Sequence, residues 1–462
     1  MEKNYIRQPA VILAGALLIL YLLSFVNYEY TIAGFTFRNI DFFMDVKSDP
    51  AEEEFSNNSR VAIEPQALFA GFDFLKPLEF FTAEKDNANY AYQGQKTGFY
   101  GNTEQLKYFF DALSNAKTKP FRIAHYGDSV IEGDLITADI RELLQKKFGG
   151  DAVGWLGIVS QDVAFRTTTK HTFSDNWETA SVYTSNPKSL KLGISGEVFI
   201  PQGNAWVEYE VSRLRRSLKG FSKVRIFYSD AKSSDIYYSF DNSSKKSARL
   251  NPGIGIQELV LDAGKTVKSA RIEFPQKEQA HFYGVSLEGA PGIYVDNFPL
   301  RGNSGVDIAQ IDPATLKEFS KYLNYKLIIL EFGLNILGSR MTDYSWYERE
   351  MGKVIKNLKE AFPGTSIVMI SVHDKARKSG SKFETDPAVF KLLDAQKKIA
   401  QNNGVALWSL FDAMGGENSM HSWVTANPPL ASRDYIHFNN QGAERIAELF
   451  VESLLDEYNK RK

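Results

Sequence analysis

The sequence predicts an α/β protein in which an antiparallel β-sandwich interrupts a parallel sheet and a transmembrane helix precedes both. Three observations carry this prediction. An uncharged apolar run lies near the N-terminus, helix and strand periods alternate in two separate parts of the chain, and a block of short strands with period-two alternation lies between those parts. At 462 residues the chain exceeds one ordinary domain, so more than one folded unit is expected.

The first element is the apolar run AVILAGALLILYLLSFV at residues 10–26. At about 1.5 Å per residue it spans about 25 Å, slightly less than a hydrocarbon core of about 30 Å. Tyr28 and Tyr30 follow it, where aromatic side chains reach the headgroup level. No small-x-small cleavage site follows, so an uncleaved anchor at residues 10–27 is predicted, with a cleaved signal peptide as the alternative.

The charges around the anchor predict its orientation. Lys3 and Arg7 precede the apolar run, and no basic residue follows it before Arg38. Basic residues favour the cytoplasmic side, so residues 1–9 are predicted to be a cytoplasmic tail. The folded body is therefore expected on the periplasmic or extracytoplasmic side of a cell membrane, held by a single-pass anchor.

Residues 28–100 show no strong period and include the acidic, polar stretch KSDPAEEEFSNNS. They are predicted to form a linker and irregular segment between the anchor and the folded body. The aromatic stretches in this segment are open to two interpretations, packing against the folded body or against a membrane partner.

Residues 101–164 and 291–460 alternate helix and strand periods and are predicted to form one domain with a parallel sheet. FRIAHYGDS reads as a buried strand with its exit loop, and LITADIRELLQKKFGG reads as a helix that ends at glycines. Three later apolar runs are typical of strands buried on both faces: YKLIILEFG, SIVMIS and VALWSL.

Residues 165–290 change to short runs of alternating polar and apolar residues, such as WVEYEV, KVRIFYSD and DIYYSF. Several such strands separated by turn residues predict an inserted antiparallel β-sandwich. Its aromatic side chains are open to two interpretations, stacking on sugar rings or core packing: Trp206, Tyr209, Tyr237 and Tyr238.

Composition excludes several functional classes. The chain has no cysteine, which rules out thiol catalysis, cysteine-based zinc sites and disulfides. A formal net charge of -2 lacks the strong positive charge that is typical of nucleic-acid-binding domains. The histidines show no metal-ligand spacing, so no metal site is expected.

A serine, a histidine and an aspartate are the candidate catalytic groups. Ser129 lies in HYGDSVIEGD, where a predicted strand gives way to a helix, and this position suits either a helix cap or a nucleophile. A serine hydroxyl needs a base, and the base needs an orienting acid. Asp434 and His437, three residues apart before the last helix, offer that pair, although Asp-x-x-His alone is a weak signal.

Candidate oxyanion donors lie in two further stretches. RGNSGVD offers Gly302 and Gly305, where backbone N–H groups can approach a ligand closely. LEFGLNIL places Gly333 and Asn335 directly after a buried strand, at the edge where α/β sheets bind ligands. Each glycine is also consistent with an ordinary turn.

These four blocks occur in the order Gly-Asp-Ser, Gly, Gly-x-Asn and Asp-x-x-His, and in this the chain resembles the SGNH (GDSL) hydrolase family. The resemblance covers about residues 101–460. It implies an α/β/α sandwich that needs no metal or organic cofactor. It also implies that Ser129 is the nucleophile, that Gly305 and Asn335 form the oxyanion hole with the Ser129 amide, and that His437 is a base oriented by Asp434.

A narrower resemblance concerns the substrate. VALWSLFDAMGGENSMHSW and the β-rich insertion resemble the peptidoglycan O-acetylesterases that carry a carbohydrate-binding-module-like domain. The chain departs from the family pattern at Ile336 after Asn335, at Val130 after Ser129 and in the loop SVHDKARKSG. Candidate substrate contacts near the expected acyl or glycan site are Asp128, Gly302, Gly333, His373 and Asp374. For His373 and Asp374 the alternative is an ordinary loop residue.

Three functions follow from this sequence. The leading one is a membrane-anchored envelope esterase that removes O-acetyl groups from a glycan, with peptidoglycan as the first candidate. The second is an O-acetyltransferase that passes acetyl from a membrane acyltransferase partner to a glycan. The third is a non-catalytic glycan-binding scaffold.

Overall fold

The computed structural model describes residues 94–461 apart from 185, 213–217, 276–279, 339–342 and 381, together with two short strands at 29–32 and 35–38. The chain divides into two units, Met1–Ala70 and Gly71–Lys462. The predicted anchor at residues 10–27 lies outside the described residues. Within the described ranges, no helix has both the length and the apolar character needed to cross a membrane.

The strands and helices are numbered in chain order. The strands are β1 (Glu29–Ile32), β2 (Phe35–Arg38), β3 (Phe99–Gly101), β4 (Phe121–Gly127), β5 (Gly154–Leu156), β6 (Thr169–Phe173), β7 (Trp177–Ser181), β8 (Glu197–Pro201), β9 (Ala205–Val211), β10 (Phe221–Ser229), β11 (Ser234–Phe240), β12 (Lys246–Leu250), β13 (Gln257–Val267), β14 (Ser269–Phe274), β15 (His281–Glu288), β16 (Ile293–Pro299), β17 (Tyr325–Glu331), β18 (Ser366–Ile370), β19 (Ala376–Ser379), β20 (Lys382–Thr385) and β21 (Ala406–Trp408). The α-helices are α1 (Lys107–Leu113), α2 (Thr137–Phe148), α3 (Pro313–Phe319), α4 (Ser345–Ala361), α5 (Pro387–Asn402), α6 (Leu410–Met414), α7 (Ser419–Thr425) and α8 (Asn440–Asn459).

The central sheet has the order β16-β4-β17-β18-β21-β3. Its first five strands are parallel, and β3 joins the edge antiparallel to β21. The predicted parallel sheet is therefore present within a mixed sheet. Because the carboxyl ends of β16, β4 and β17 are neighbours, the loops after them meet at one edge, and these loops carry the first three sequence blocks.

The sheet is buried on both faces, which explains its continuous apolar strands. Leu327 and Ile329 of β17 pack into one cluster with residues of α1, α2 and α8. Ile328 and Leu330 point the other way and pack with residues of α3, α4 and α5. Successive side chains of a strand alternate between faces, so a strand between two helical layers must be apolar throughout.

The insertion is an antiparallel sandwich of two sheets. One has the order β13-β10-β15-β8-β7, with β5 also paired to β15, and the other has the order β12-β11-β14-β9-β6. The strand β5 lies before residue 165, so the sandwich begins earlier in the chain than the sequence predicts. Tyr209 is fully buried in the sandwich core and donates to the Gly157 carbonyl, which assigns it to packing.

Buried charges join the sandwich to the central sheet. Arg122 of β4 donates from Nε to Asp296 of β16 at 2.7 Å and from Nη1 to Glu288 of β15 at 2.5 Å. Tyr325 of β17 donates its hydroxyl proton to the same Asp296. A buried guanidinium needs such partners to offset its lost hydration, so these contacts fix β15 beside the sheet that positions the site.

Candidate active site

The turn after β4 presents Ser129. Strand β4 ends at Gly127, and a 3-10 turn spans Ser129–Asp134. Asp128 lies between them and accepts the Val130 N–H at 3.0 Å through its side chain. A Cβ on Gly127 would lie 2.9 Å from the Ile131 side chain, so only glycine allows the chain to turn this sharply at that residue.

The structure brings Ser129, His437 and Asp434 together. Ser129 Oγ lies 3.3 Å from His437 Nε2, and His437 Nδ1 lies 2.7 Å from Asp434 Oδ2. The serine–histidine distance is slightly long for a hydrogen bond, as is common for catalytic pairs without a substrate. The order of contacts is that of a nucleophile, its base and the acid that orients the base.

Asp434 is held as an anion by its own loop. Burial acts to raise the pKa of this carboxyl, but hydrogen bonds from the His437 ring and from the His437 and Ile436 N–H groups outweigh it and lower the pKa. The two backbone N–H groups bond to Oδ1 at 3.0 and 2.9 Å, which leaves Oδ2 for the imidazole. A charged Asp434 favours the imidazole tautomer with its proton on Nδ1 and its lone pair on Nε2, facing Ser129.

His373 supports the loop that carries His437. Its Nε2 lies 2.8 Å from the Ile436 carbonyl, and its ring packs on Phe438 with centroids 4.5 Å apart. Burial lowers the pKa of His373 to about 4, so the ring is neutral at ordinary pH. Only 2% of His373 is exposed. The structure therefore places His373 beneath the loop that carries His437, which fits the interpretation as an ordinary loop residue better than that as a substrate contact.

Asp374 is also buried and supports a neighbouring helix. It is fully buried, and its carboxylate accepts the Met420 N–H at 2.8 Å at the start of α7. Burial raises the pKa of Asp374, while hydrogen bonds from Met420, Thr385 and Ser419 oppose the rise. Its position ties the loop after β18 to α7.

The predicted oxyanion donors share one neighbour, Asn303. Asn335 Nδ2 lies 3.0 Å from the Asn303 carbonyl oxygen and 3.2 Å from Asp128 Oδ2. The Gly305 N–H donates to Asn303 Oδ1 at 2.6 Å. Asn335 and Gly305 therefore lie together, as the sequence predicts, but their N–H groups are paired with protein acceptors. To bind an oxyanion, Asn335 and Gly305 would each have to give up a hydrogen bond to one of these protein acceptors.

Three other predicted contacts differ from a substrate-lining role. Asp128 and Gly333 are buried, and burial raises the pKa of Asp128 to about 7 while the Val130 and Gly333 N–H groups oppose the rise. They position the nucleophile turn and Asn335. Gly302 is exposed with a φ of 73°, and a Cβ added there would meet no described atom within 4 Å beyond its chain neighbours, so it is a turn glycine.

A buried polar network lies behind Ser129 and includes His125 of β4. His125 Nε2 lies 2.9 Å from Glu331 Oε2, and His125 Nδ1 lies 2.9 Å from Thr137 Oγ1. Asn297 donates to the same Thr137 oxygen and to the Ile131 carbonyl. These side chains link β4, β16 and β17 to the nucleophile turn. A polar residue inside an apolar strand run, as in FRIAHYG, is the one signal that points to such a network.

The sheet, the turn after β4 and the loop before α8 together define an α/β fold with Ser129 and His437 in contact. No family model matches the sequence, and no curated protein matches it. Among solved structures, a peptidoglycan O-acetylesterase ("Peptidoglycan O-acetylesterase in action, 5 min") matches with a TM-score of 0.63 and 21% identity. The match covers 78% of this chain and 99% of that chain, so the two share their fold.

Two further solved structures match over parts of the chain. An acetyl xylan esterase, AlAXEase, matches with 18% identity and a TM-score of 0.27, covering 35% of this chain and 80% of that one. The salicylyl-acyltransferase SsfX3 from a tetracycline biosynthetic pathway matches with 14% identity and a TM-score of 0.26, covering 65% and 97%. Both TM-scores are too low to establish a common fold.

Proposed function

We propose that this protein is a serine esterase of the SGNH type that removes O-acetyl groups from a glycan, with peptidoglycan as the first candidate. The observation that carries the proposal is the continuous set of contacts from Asp434 through His437 to Ser129. The fold shared with a peptidoglycan O-acetylesterase supports the substrate class. A glycan-binding scaffold has no need of a serine, a base and an acid in this geometry.

The reaction follows from the positions of these groups. His437 Nε2 takes the Ser129 proton as Oγ attacks the acetyl carbonyl, and the imidazolium is stabilised by Asp434. The tetrahedral oxyanion forms near the Asn335 amide, the Gly305 N–H and the Ser129 N–H. His437 then protonates the sugar oxygen as the ester C–O bond breaks, which leaves acetyl on Ser129.

Water completes the reaction through the same base. His437 removes a proton from a water molecule that attacks the acetyl-enzyme, and acetate leaves as the proton returns to Ser129. The His437 side chain is 45% exposed and the Asp434 side chain is 34% exposed. This access of water to the base supports hydrolysis over transfer of the acetyl group to a sugar hydroxyl.

The location of the protein is a separate proposal. The apolar run at residues 10–26 and the basic residues before it support a single-pass anchor with the body outside the cytoplasm. Fractionation of cells that express the full chain tests this, with recovery in the membrane fraction and digestion of the body by external protease expected. Recovery of the full chain in the soluble fraction would contradict it.

Acetate release from O-acetylated peptidoglycan and from a small acetyl ester tests the proposed function. The parent, Ser129→Ala and Ser114→Ala are compared; Ser114 lies after α1, ahead of β4, and its hydroxyl donates to the Asp111 carbonyl. We expect release by the parent and by Ser114→Ala and none above background by Ser129→Ala. Ser129-dependent release that requires an added sugar acceptor would establish the transferase instead. No Ser129-dependent release from either substrate would refute the proposal.

A further inference from the structure

A cleft lies where the inserted sandwich meets the catalytic loops. Glu132, on the turn that begins with Ser129, and Arg301, in the loop after β16, line its catalytic side. Tyr183 and Glu197 line the opposite side and belong to the sandwich. The cleft is therefore built by both parts of the second unit, although the sandwich contributes none of the catalytic triad.

An ion pair connects this cleft to the triad. Arg301 Nη1 donates to Glu132 Oε2 at 2.9 Å, and 32% of the Arg301 side chain is exposed against 8% for Glu132. Glu132 is three residues beyond Ser129 and interacts electrostatically with His437. The pair thus holds a partly exposed guanidinium against the turn that begins at Ser129.

The sandwich side of the cleft offers a second polar pair. The Tyr183 hydroxyl donates to Glu197 Oε1 at 2.8 Å, and both residues are partly buried. Burial raises the pKa of Glu197 to about 7. Well below neutral pH this carboxyl is therefore largely protonated, and a protonated carboxyl can donate a hydrogen bond to a substrate oxygen.

The proposed reaction limits where the sugar can lie. His437 must protonate the departing sugar oxygen, so the sugar extends from the space between Ser129 and His437. Glu132, which lines the cleft, belongs to the same short turn as Ser129. A guanidinium has donors and no acceptor, so its partner on a substrate is an oxygen acceptor such as a carbonyl or a carboxylate.

We propose that this cleft binds the alcohol half of the ester and that Arg301, with Tyr183 and Glu197 of the sandwich, selects an acetylated sugar bearing carbonyl or carboxyl substituents over a neutral sugar that bears hydroxyls alone. This inference rests on the proposed function and deepens it. N-acetylated amino sugars with a lactyl group carry such substituents, and xylose does not. The inserted sandwich is then part of the substrate site.

The other cavity of the sandwich supplies the control. It has a volume of about 400 Å³ and is lined by Trp206, Tyr237, Arg271 and neighbouring residues. Arg271 Nη1 donates to Glu208 at 3.1 Å, and its side chain is 32% exposed, as is that of Arg301. Arg271→Ala therefore removes an arginine of equal exposure, also paired with a glutamate, from a cavity that no residue of the turn Ser129–Asp134 lines.

The experiment measures kcat/KM for O-acetylated peptidoglycan, acetylated xylan and a small acetyl ester with the full chain. The parent is compared with Arg301→Ala, Arg301→Lys, Tyr183→Phe and Arg271→Ala. The readout is the ratio of glycan to small-ester efficiency, which cancels a general change at the triad. Arg301→Lys retains the charge beside Glu132, so it separates loss of the planar guanidinium from disturbance of the buried carboxylate.

We expect Arg301→Ala to lower the peptidoglycan-to-ester ratio at least tenfold, mainly through KM, and Tyr183→Phe to lower it about threefold. Arg301→Lys should fall between Arg301→Ala and the parent, and Arg271→Ala should keep the parent ratio. The parent should prefer peptidoglycan to xylan. Equal ratios for Arg301→Ala and Arg271→Ala, or equal rates on the two glycans, would overturn the inference. Failure of the proposed function is distinct, because it would abolish Ser129-dependent release from the small ester as well.

Discussion

Replacing Asp434 with asparagine isolates the electrostatic part of the triad, because the two side chains have the same shape. Asparagine can keep its Oδ1 as the acceptor for the Ile436 and His437 N–H groups. Its amide nitrogen would then face His437 Nδ1, which carries a proton in the active tautomer. The ring would shift its proton to Nε2 and donate to Ser129, so it could no longer act as the base.

The expected loss has two parts. Unit charges about 4 Å apart attract by about 1 kcal/mol in water and about 4 kcal/mol near a protein surface, and half-exposed groups such as these fall near about 2 kcal/mol. Loss of the tautomer that faces Ser129 adds about 1–2 kcal/mol, close to the net contribution of one hydrogen bond. The sum of about 3–4 kcal/mol corresponds to a fall in kcat of about 100- to 1000-fold.

The assay measures kcat for hydrolysis of a small acetyl ester and the melting temperature of each variant. The control is Asp312→Asn, which changes an aspartate whose Oδ1 accepts the Ala314 N–H at the start of α3 and which contacts no catalytic residue in the described structure. We expect Asp312→Asn to retain parental kcat and Asp434→Asn to stay folded. A kcat for Asp434→Asn within threefold of the parent would refute the assigned role of Asp434.

Three further predictions concern the residues around the triad. Asn335→Ala should lower kcat about 100-fold or more, since one oxyanion donor contributes about 3 kcal/mol to transition-state stabilisation, and unchanged steady-state turnover would remove it from the mechanism. Gly305→Ala should lower the free energy of unfolding by about 1–3 kcal/mol in urea titrations, because φ is 89° and a Cβ would lie 2.6 Å from the Phe332 ring; an unchanged midpoint would count against this packing. His373 has a pKa of about 4 when folded and 6.5 when unfolded, so the unfolded chain binds more protons between these values and stability falls as pH falls through that window. His373→Gln should remove about 3 kcal/mol of that pH dependence relative to the parent, and parallel pH profiles of stability would contradict it.

The sequence predicts the architecture well where local patterns reflect burial. The run LIILE shows no alternation because helices cover both faces of β17, and WVEYEV alternates because β9 has one face inside the sandwich. The strand β5 has only three residues and no period of its own. Its place in the sandwich depends on pairing with β15, which local pattern does not encode.

The triad residues could be predicted from the motif blocks, whereas the residues that support the triad could not. Ser129 and His437 are 308 residues apart, and only the ordered blocks connect them before a fold is known. The loop residue His373 reads as a candidate substrate contact until its partner, the Ile436 carbonyl, is seen 63 residues away. Whether a polar side chain faces substrate or the interior depends on such distant partners.

Labelling with a fluorophosphonate tests most directly whether Ser129 is a nucleophile activated by His437. Attack by Ser129 Oγ on phosphorus expels fluoride and leaves a stable ester that peptide mass spectrometry can locate. We predict one label per chain at Ser129, none at that site in Ser129→Ala, and labelling slowed at least 100-fold in His437→Ala. Labelling at another residue, or labelling of Ser129 at the same rate without His437, would contradict the proposed mechanism.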